Sequence, residues 1–198
     1  KDNDIREELR SQLEPVALTL NAARYPDEFL QDYINEMGQS LVPPEAPEGM
    51  LFSFRVVDEP TPNALAFPDG RIYINSGLLV FVENEAQLAV VLGHEMGHVL
   101  KQHAVERSRE AHSFKRAILP GLIGSVAGAT VGAIAGGKKG AAEGAVIGAV
   151  AGQVAGVIAM NSYSRKQEDE ADAIGTRAAL ARGYDPAAGS ALFERLAK

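Results

Sequence analysis

The chain has 198 residues, enough for one domain with a sizeable core, and its 46% apolar and 23% charged residues are typical of a globular protein. A formal net charge of −7 argues against nucleic acid as a partner, because an acidic chain cannot neutralise a phosphate backbone. The absence of cysteine excludes disulfides and thiolate metal sites. Since the first residue is Lys1 and no signal peptide is visible, we expect a mature or trimmed chain.

Residues 2–40 predict helices that are interrupted by proline. We expect Pro15 and Pro26 to break this stretch into at least two pieces, because proline removes a backbone donor and clashes with the preceding turn. A proline-rich linker is predicted for residues 42–47. The apolar positions that recur every three or four residues are Ile5, Leu9, Leu13, Phe29, Leu30, Tyr33, Ile34 and Met37.

Short strands are predicted next. Ile72 and Ile74 alternate with Arg71 and Tyr73, the period of two that is typical of a half-buried strand. The Pro-Asp-Gly sequence at residues 68–70 predicts a turn before this strand. We therefore expect a small antiparallel sheet whose last two strands form a hairpin. The strand segments are residues 51–57, 64–67 and 71–75.

A long helix is predicted to begin after Asn84. Gln87, three residues further on, completes a capping box. The helix carries the sequence HEMGH at residues 94–98, and we expect it to extend to about residue 117. A capped helix that follows a β-hairpin is the structural context expected for this motif when it binds a metal.

The HEMGH sequence predicts a zinc site. His94 and His98 are four positions apart, so they share one face of the helix and can bind a single cation. A zinc ion lowers the pKa of a bound water, and Glu95 can then take the proton as general base while the water attacks a carbonyl. The alternative is a pair of ordinary surface or core histidines. We predict one zinc ion per chain.

The third protein ligand is not a nearby histidine. A longer motif with a third histidine would need glycine and histidine where the chain has Lys101 and Ala104. His103 would lie about 140° round a continuous helix from His98, and His112 about 21 Å along it. We interpret His103 and His112 as solvated helix residues.

The sequence QEDEAD at residues 167–172 supplies the missing ligand. Glu168 and Asp172 are four apart on a second helix, so one face presents two carboxylates. We predict that Glu168 binds zinc and that Asp172 accepts the N–H of a ligand histidine, which fixes its tautomer. The alternative is an acidic run on a solvated face, and we assign Asp169 and Glu170 to that role.

HEMGH followed by YSRKQEDEADAIG at residues 163–175 resembles the gluzincin peptidases of the HtpX and CAAX-prenyl-protease type. The branch with the greatest similarity comprises BepA- and LoiP-like bacterial envelope proteases, with mitochondrial Oma-type relatives. The likeness covers about residues 50–198 apart from a glycine-rich segment. It implies a zinc endopeptidase, with Glu168 as third ligand and Asp172 beside it.

The same resemblance extends to NALAFPDGRIYINSGLL at residues 63–79. It implies an edge strand that pairs with substrate backbone by strand addition. The residues that would line the peptide cleft are Asn63, Ala64, Leu65, Ala66 and Phe67. The alternative is an ordinary hairpin. The chain lacks the His-Pro…Arg segment usual in this branch, which leaves the oxyanion-stabilising group unassigned; Tyr163 and Arg165 lie near Glu168 in sequence only.

Residues 118–160 differ in composition from the rest of the chain. They contain only three charged residues, and glycine recurs at every fourth position in two series. Small residues at this spacing let helices pack closely, which predicts a glycine-zipper helical hairpin inserted between the two ligand helices. The hairpin could enter or associate with a membrane, or pack on itself or on another protomer.

Together these features predict an α+β fold, a mostly helical zincin-like metallopeptidase domain over residues 1–198 with a small antiparallel sheet and the insert at 118–160. The predicted function is zinc-dependent hydrolysis of peptide bonds in protein substrates, in quality control of the bacterial cell envelope. The resemblance and the insert place the protein in the periplasm or at a membrane. The alternative is an envelope chaperone or assembly factor that acts by binding, with the hairpin as a membrane or oligomerisation module.

Overall fold

A computed structural model of the chain describes residues 2–118, 163–185 and 187–196. Most of them are helical and a small sheet completes the fold, so the α+β prediction is confirmed. Except for Ile118, the predicted glycine-rich insert at 118–160 lies outside the described residues. The elements are α1 (Asp2–Ala22), α2 (Glu28–Leu41), β1 (Ser53–Val57), β2 (Ala64–Ala66), β3 (Arg71–Asn75), α3 (Ser76–Phe81), α4 (Glu85–Leu100), α5 (His103–Ile118), α6 (Arg165–Ala181) and α7 (Ala187–Leu196).

The sheet is mixed, with the strand order β1-β3-β2. β2 pairs antiparallel with β3, with Ala64 opposite Ile74, so the predicted hairpin is confirmed. β1 pairs parallel with β3, with Ser53 opposite Arg71, so the prediction of an entirely antiparallel sheet is wrong. The strands that follow one another in sequence, β1 and β2, lie on opposite sides of β3 rather than side by side.

The connection between β1 and β2 explains this order. Residues 58–63 cross the end of β3, where the Gly77 N–H donates to the Glu59 carbonyl at 2.9 Å and the Asn75 side chain donates to the Thr61 carbonyl at 3.0 Å. A Cβ added to Gly77 would lie 1.9 Å from the Pro60 carbonyl oxygen. This connection therefore requires glycine at residue 77, because no side chain fits between the two backbones.

Hydrophobic residues cover both faces of the sheet. Side chains alternate between the faces along each strand, so Ile72 and Ile74 point to one face while Tyr73 points to the other. The larger cluster, between the sheet and the helices α2 and α4, includes Ile34, Met37, Phe54, Val56, Leu88 and Leu92. The smaller cluster, between the sheet and α1, comprises Leu13, Val16, Ala17, Val57, Leu65, Phe67 and Tyr73.

Helix α1 continues through Pro15, so the predicted break at this proline is wrong. Val16 and Ala17, directly after it, are buried against the sheet, and this packing holds the helix despite the lost backbone donor. The break predicted at Pro26 is confirmed, because α1 ends at Ala22 and α2 begins at Glu28. None of the helices within the described ranges is long and apolar enough to cross a bilayer.

Candidate metal centre

Helix α4 presents two histidines on one face. Asn84 caps its start as predicted, since the Asn84 side chain accepts the Gln87 N–H at 3.0 Å. The Gln87 side chain accepts the Glu83 N–H at 2.9 Å, so the reciprocal contact of the predicted capping box is not formed. His94 and His98 are both buried, and their Nε2 atoms lie 3.0 Å apart. Two imidazole nitrogens of one helix therefore face the same point in space.

Helix α6 packs against this part of α4 at very short range. A Cβ added to Gly97 would lie 2.9 Å from the Cα of Ala171, and one added to Gly93 would lie 2.8 Å from the Cα of Gly175. Only glycine permits this approach, because the nearest atoms belong to the backbone of the other helix. The contact sets Glu168, one helical turn before Ala171, opposite the two histidines.

The Glu168 carboxylate completes a group of three donors. Its Oε2 lies 3.5 Å from His94 Nε2, and its Oε1 lies 3.9 Å from His98 Nε2. One donor atom from each of the three side chains lies within 4.8 Å of the other two. The structure thus brings together the three residues that the sequence proposed as metal ligands.

Asp172 lies behind His94, as the sequence predicted. Its Oδ1 is 2.8 Å from His94 Nδ1, and because a carboxylate can only accept, the proton of the ring lies on Nδ1 and this N–H donates a hydrogen bond to Asp172. Burial opposes a charge on His94, but the Asp172 hydrogen bond and the nearby carboxylates of Glu95 and Glu168 outweigh it, and the His94 pKa is raised. The contact also fixes the ring orientation that turns Nε2 towards Glu168.

Glu95 follows His94 and is only partly exposed. Burial raises the pKa of its carboxyl, and the neighbouring Glu168 adds to that effect while His94 opposes it. A carboxyl with a raised pKa holds a proton more firmly once it has taken one, which suits a group that must accept a proton and return it.

The prediction that α4 runs to about residue 117 is wrong, because the helix ends at Leu100 and α5 begins at His103. Gln102 between them has a φ of 57°, the left-handed conformation that turns the chain. The turn rotates His103 back towards the metal face. His103 is therefore 1% exposed, and its Nδ1 lies 2.9 Å from His98 Nδ1.

His103 is thus not the solvated residue that the sequence predicted. Its second ring nitrogen, Nε2, lies 3.2 Å from the Glu170 carboxylate. This contact lowers the pKa of Glu170, whose side chain is 35% exposed, so Glu170 lies in the solvated acidic run as expected and also accepts from His103. Asp169 beside it is exposed, as expected for that run. His112 lies further along α5.

Tyr163 covers the other face of His98. The two rings are stacked, with centroids 3.8 Å apart and an interplanar angle of 17°. Burial raises the pKa of the Tyr163 hydroxyl, and the carboxylates of Glu95 and Glu168 add to the shift. The burial of His98, together with the neighbouring His94 and His103, lowers the His98 pKa to about 2. The His98 ring is consequently neutral at physiological pH, as a metal ligand must be.

Residues 26–197 match the family described as Peptidase family M48. This chain belongs to peptidase family M48. The resemblance identified from HEMGH and QEDEAD is therefore confirmed.

Curated relatives of this M48 chain include enzymes from bacteria and mitochondria. It is 32% identical over 170 residues to the beta-barrel assembly-enhancing protease of Escherichia coli strain K12, covering 86% of this chain and 33% of that protein. It is 30% identical over 158 residues to the mitochondrial metalloendopeptidase OMA1 of Arabidopsis thaliana, covering 76% of this chain and 27% of that one. The chain thus spans between a quarter and a third of the length of these relatives.

Membership of M48 implies a metal cofactor, and the donor set of this chain fits one. Tetrahedral zinc with ligand bonds of about 2.0–2.1 Å holds its donors about 3.4 Å apart. The two imidazole nitrogens lie 3.0 Å apart, and each lies 3.5–3.9 Å from its nearer Glu168 oxygen, close to that value. Two imidazoles and one carboxylate are also the donor types that zinc takes in hydrolytic sites.

The segment predicted to line a substrate cleft in this M48 domain lies beside the site. Ala66, Phe67 and Pro68 line a small cavity together with His98 and Tyr163. The side chains of residues 64–67 are buried in the packing of the sheet. Their backbone has an outer side, because residues 63 and 67 hydrogen-bond β3, so the polar groups of Ala64 and Ala66 point away from that strand.

Proposed function

We propose that this chain is a zinc-dependent endopeptidase that holds one zinc ion with His94, His98 and Glu168. The observation that carries the proposal is the convergence of two imidazole Nε2 atoms and a carboxylate within 4.8 Å. Asp172 supports it, since a carboxylate on the Nδ1 of a histidine is the usual partner of a metal-ligating imidazole.

Glu95 is the proposed general base and acid of the reaction. Zinc, when bound, supplies a Lewis acid that makes a water molecule acidic near neutral pH. The Glu95 carboxylate would take the proton of the attacking water and return it to the amine that leaves when the peptide bond breaks. The raised pKa of this carboxyl favours the protonated form that the second step requires.

The proposed substrate is a polypeptide in extended conformation. The backbone groups of Ala64 and Ala66 on the edge strand β2 point away from β3 and would supply the hydrogen bonds that an added strand needs, although both residues are largely covered. The substrate-contacting segment would be residues 63–67, that is Asn63, Ala64, Leu65, Ala66 and Phe67. Its neighbourhood to His98 would bring a peptide bond close to the metal centre.

We further propose a role in protein quality control in the bacterial periplasm or cell envelope. The E. coli relative is named beta-barrel assembly-enhancing protease, which supports a role connected with protein assembly. The proposed organisation is a single metallopeptidase domain with the glycine-zipper hairpin of residues 118–160 as a site of membrane or self-association, supported by the glycine spacing. The same relative's name supports the alternative of an assembly factor that acts by binding.

Metal content and peptidase activity, measured on the same preparations, test the proposal. The wild type is expected to hold one zinc ion per chain and to cleave an unfolded protein substrate. Glu95→Gln should keep the zinc and lose activity by about 10²–10⁴-fold, because only the proton acceptor is removed. Glu168→Ala should lose the zinc, while Asp169→Ala, the exposed neighbour, should behave as wild type.

Two results would overturn it. Stoichiometric zinc in Glu168→Ala at wild-type affinity would mean that the third ligand is misassigned. Full peptidase activity in Glu95→Gln would remove Glu95 from the reaction. If Glu95→Gln lost peptidase activity yet restored function in cells lacking the protein, the assembly-factor alternative would be the physiological one.

A further inference from the structure

We infer that His103 and Glu170 act as a positioning pair for the metal ligand His98, fixing its tautomer and ring orientation through a hydrogen-bonded chain of two imidazoles and a carboxylate. The inference rests on the proposed metal site. It concerns two residues that do not touch the metal position themselves, and it assigns a role to the buried histidine that the sequence motif leaves unexplained.

The chain of contacts has only one arrangement of protons that suits metal binding. If His98 Nε2 is to bind a cation, the proton of the neutral ring must sit on Nδ1. That N–H faces His103 Nδ1 at 2.9 Å, which must therefore accept and be unprotonated. The His103 proton then sits on Nε2, where the Glu170 carboxylate accepts it at 3.2 Å. Each of the two N–H groups in the series then has an acceptor, and His98 Nε2 faces the metal position.

The two ligand histidines thus receive equivalent support by different routes. His94 donates directly to a carboxylate, Asp172, at 2.8 Å. His98 Nδ1 instead contacts His103, which relays the contact to Glu170, two residues before Asp172 on the same helix. In both cases an acceptor on Nδ1 leaves Nε2 directed at the metal position, which is the arrangement that raises ligand basicity.

The fold holds the positioning pair firmly. The left-handed Gln102 starts α5 at His103 and aims this side chain into the protein, where it is 1% exposed. Helices α5 and α6 are joined nearby by a hydrogen bond from the Gln167 side chain to Glu106 at 2.9 Å. That bond fixes the first turn of α6 and with it the approach of Glu170 to His103.

The role of His103 as an acceptor can be separated from its role as a space-filling side chain. His103→Leu keeps an apolar side chain in the buried site but removes the acceptor for the His98 N–H. His103→Asn restores an acceptor, because its carbonyl oxygen takes the place of Nδ1. Glu170→Ala removes the carboxylate that accepts the His103 N–H, whereas Glu170→Gln keeps an oxygen acceptor there. Asp169→Ala is the matched control on the exposed face.

The measurement is the zinc dissociation constant of each full-length variant, by competition with a chromogenic chelator, alongside thermal unfolding of the metal-free proteins. His103→Leu should bind zinc about 10–100-fold more weakly than wild type. His103→Asn should bind zinc nearly as tightly as wild type. Glu170→Ala should lose less zinc affinity than His103→Leu, and Glu170→Gln should lose less than Glu170→Ala. Asp169→Ala should be unchanged.

NMR of the imidazoles at saturating zinc gives a second readout. The wild type should show a downfield His98 Nδ1 proton that exchanges slowly with water, because His103 accepts it, and in His103→Leu this proton should exchange faster and move upfield. The spectrum reports the hydrogen bond itself, and it does not depend on activity.

Distinct results decide between the inference and the proposed function. Wild-type zinc affinity in His103→Leu, or an equal loss in His103→Asn and His103→Leu, would overturn the positioning role while leaving the metal site intact. Wild-type protein that binds no zinc would overturn the metal site and the inference with it.

Discussion

Gly175 of α6 lies directly against the backbone of His94 in α4: a Cβ added to this glycine would come within 2.6 Å of the His94 nitrogen. The Val90 carbonyl oxygen, one helical turn earlier, would lie 2.9 Å away. Both neighbours are backbone atoms that cannot rotate aside. The spacing of the two ligand helices is therefore set by the absence of a side chain at residue 175.

We predict that Gly175→Ala destabilises the protein even though alanine is the better helix former. Helix propensity favours the change by about 1 kcal/mol, but forcing the helices apart should cost about 1–3 kcal/mol more than that gain. The free energy of unfolding, from denaturant titration of metal-free protein, measures the balance. Ala173→Gly, at an exposed position of α6, is the control and should cost about 1 kcal/mol through propensity alone.

The same substitution should weaken zinc binding, because Glu168 moves away together with α6. Unchanged stability and unchanged zinc affinity in Gly175→Ala would show that the contact between the helices is looser than the structure describes.

Removing the Asp172 acceptor should weaken the metal site without removing a ligand. Asp172→Ala is expected to raise the zinc dissociation constant about 10–100-fold, because His94 loses the contact that fixes its tautomer. Asp172→Asn keeps an oxygen acceptor and should lose less zinc affinity than Asp172→Ala. Chelator competition on both variants measures the effect, and equal zinc affinity in Asp172→Ala and wild type would contradict the assigned role.

The turn at Gln102 should tolerate glycine and reject a β-branched residue. Gln102 has a φ of 57°, and a left-handed conformation costs a residue with a Cβ about 1–2 kcal/mol. Gln102→Gly should leave the free energy of unfolding unchanged or raise it by up to about 1 kcal/mol. Gln102→Val should lower it and also weaken zinc binding, since His103 is displaced.

Both variants at residue 102 lose the hydrogen bond that the Gln102 side chain accepts from Arg6, so their difference isolates the backbone conformation. Unfolding curves and zinc affinities of the pair are the measurement. Equal stability of the glycine and valine variants would mean that the turn does not depend on the left-handed conformation.

The contact between Tyr33 of α2 and Glu85 of α4 should give a pH-dependent contribution to stability. The hydrogen bond to Glu85, aided by burial, raises the pKa of Tyr33 to about 12 from a usual value of 10. A pKa that is higher in the folded state means a contribution that is complete below pH 10 and is lost as the pH rises through 12. Both side chains are exposed, so the contribution is only about 0.5 kcal/mol.

Tyr33→Phe should accordingly be less stable than wild type at pH 8, and the difference should vanish between pH 10 and 12. The control is a double-mutant cycle with Glu85→Gln, in which the second change should add little to the first. A difference that persists at pH 12 would assign the effect to packing rather than to the hydroxyl.

The elements that local patterns specify could be predicted from the sequence. The start of α4 follows from Asn84 and Gln87, whose backbone contact is visible in the structure. The β2–β3 hairpin follows from the turn at residues 68–70. The position of β1 could not be predicted in this way. Its parallel pairing with β3 depends on the connection at residues 58–63, which is held by contacts between residues distant in sequence, such as the hydrogen bond from Gly77 to Glu59.

In the candidate site, too, the relationships within one helix could be predicted from the sequence, whereas the position of His103 could not. Spacing within each helix predicted that His94 pairs with His98 and that Glu168 shares a face with Asp172, and the meeting of the two helices was expected from chemistry and resemblance. His103 was missed because the prediction assumed one continuous helix. The break depends on a left-handed residue that is glutamine rather than glycine, so residue 102 carries no local signal for the turn.

The close contact of α4 with α6 also determines when the three proposed ligands can meet. His94 and His98 are synthesised well before Glu168, and the donors meet only after the glycine faces of both helices have docked. A chain in which α6 has not docked therefore lacks Glu168, one of the three proposed ligands, at the metal position. The proposed hydrolytic activity therefore requires that α4 and α6 have already docked.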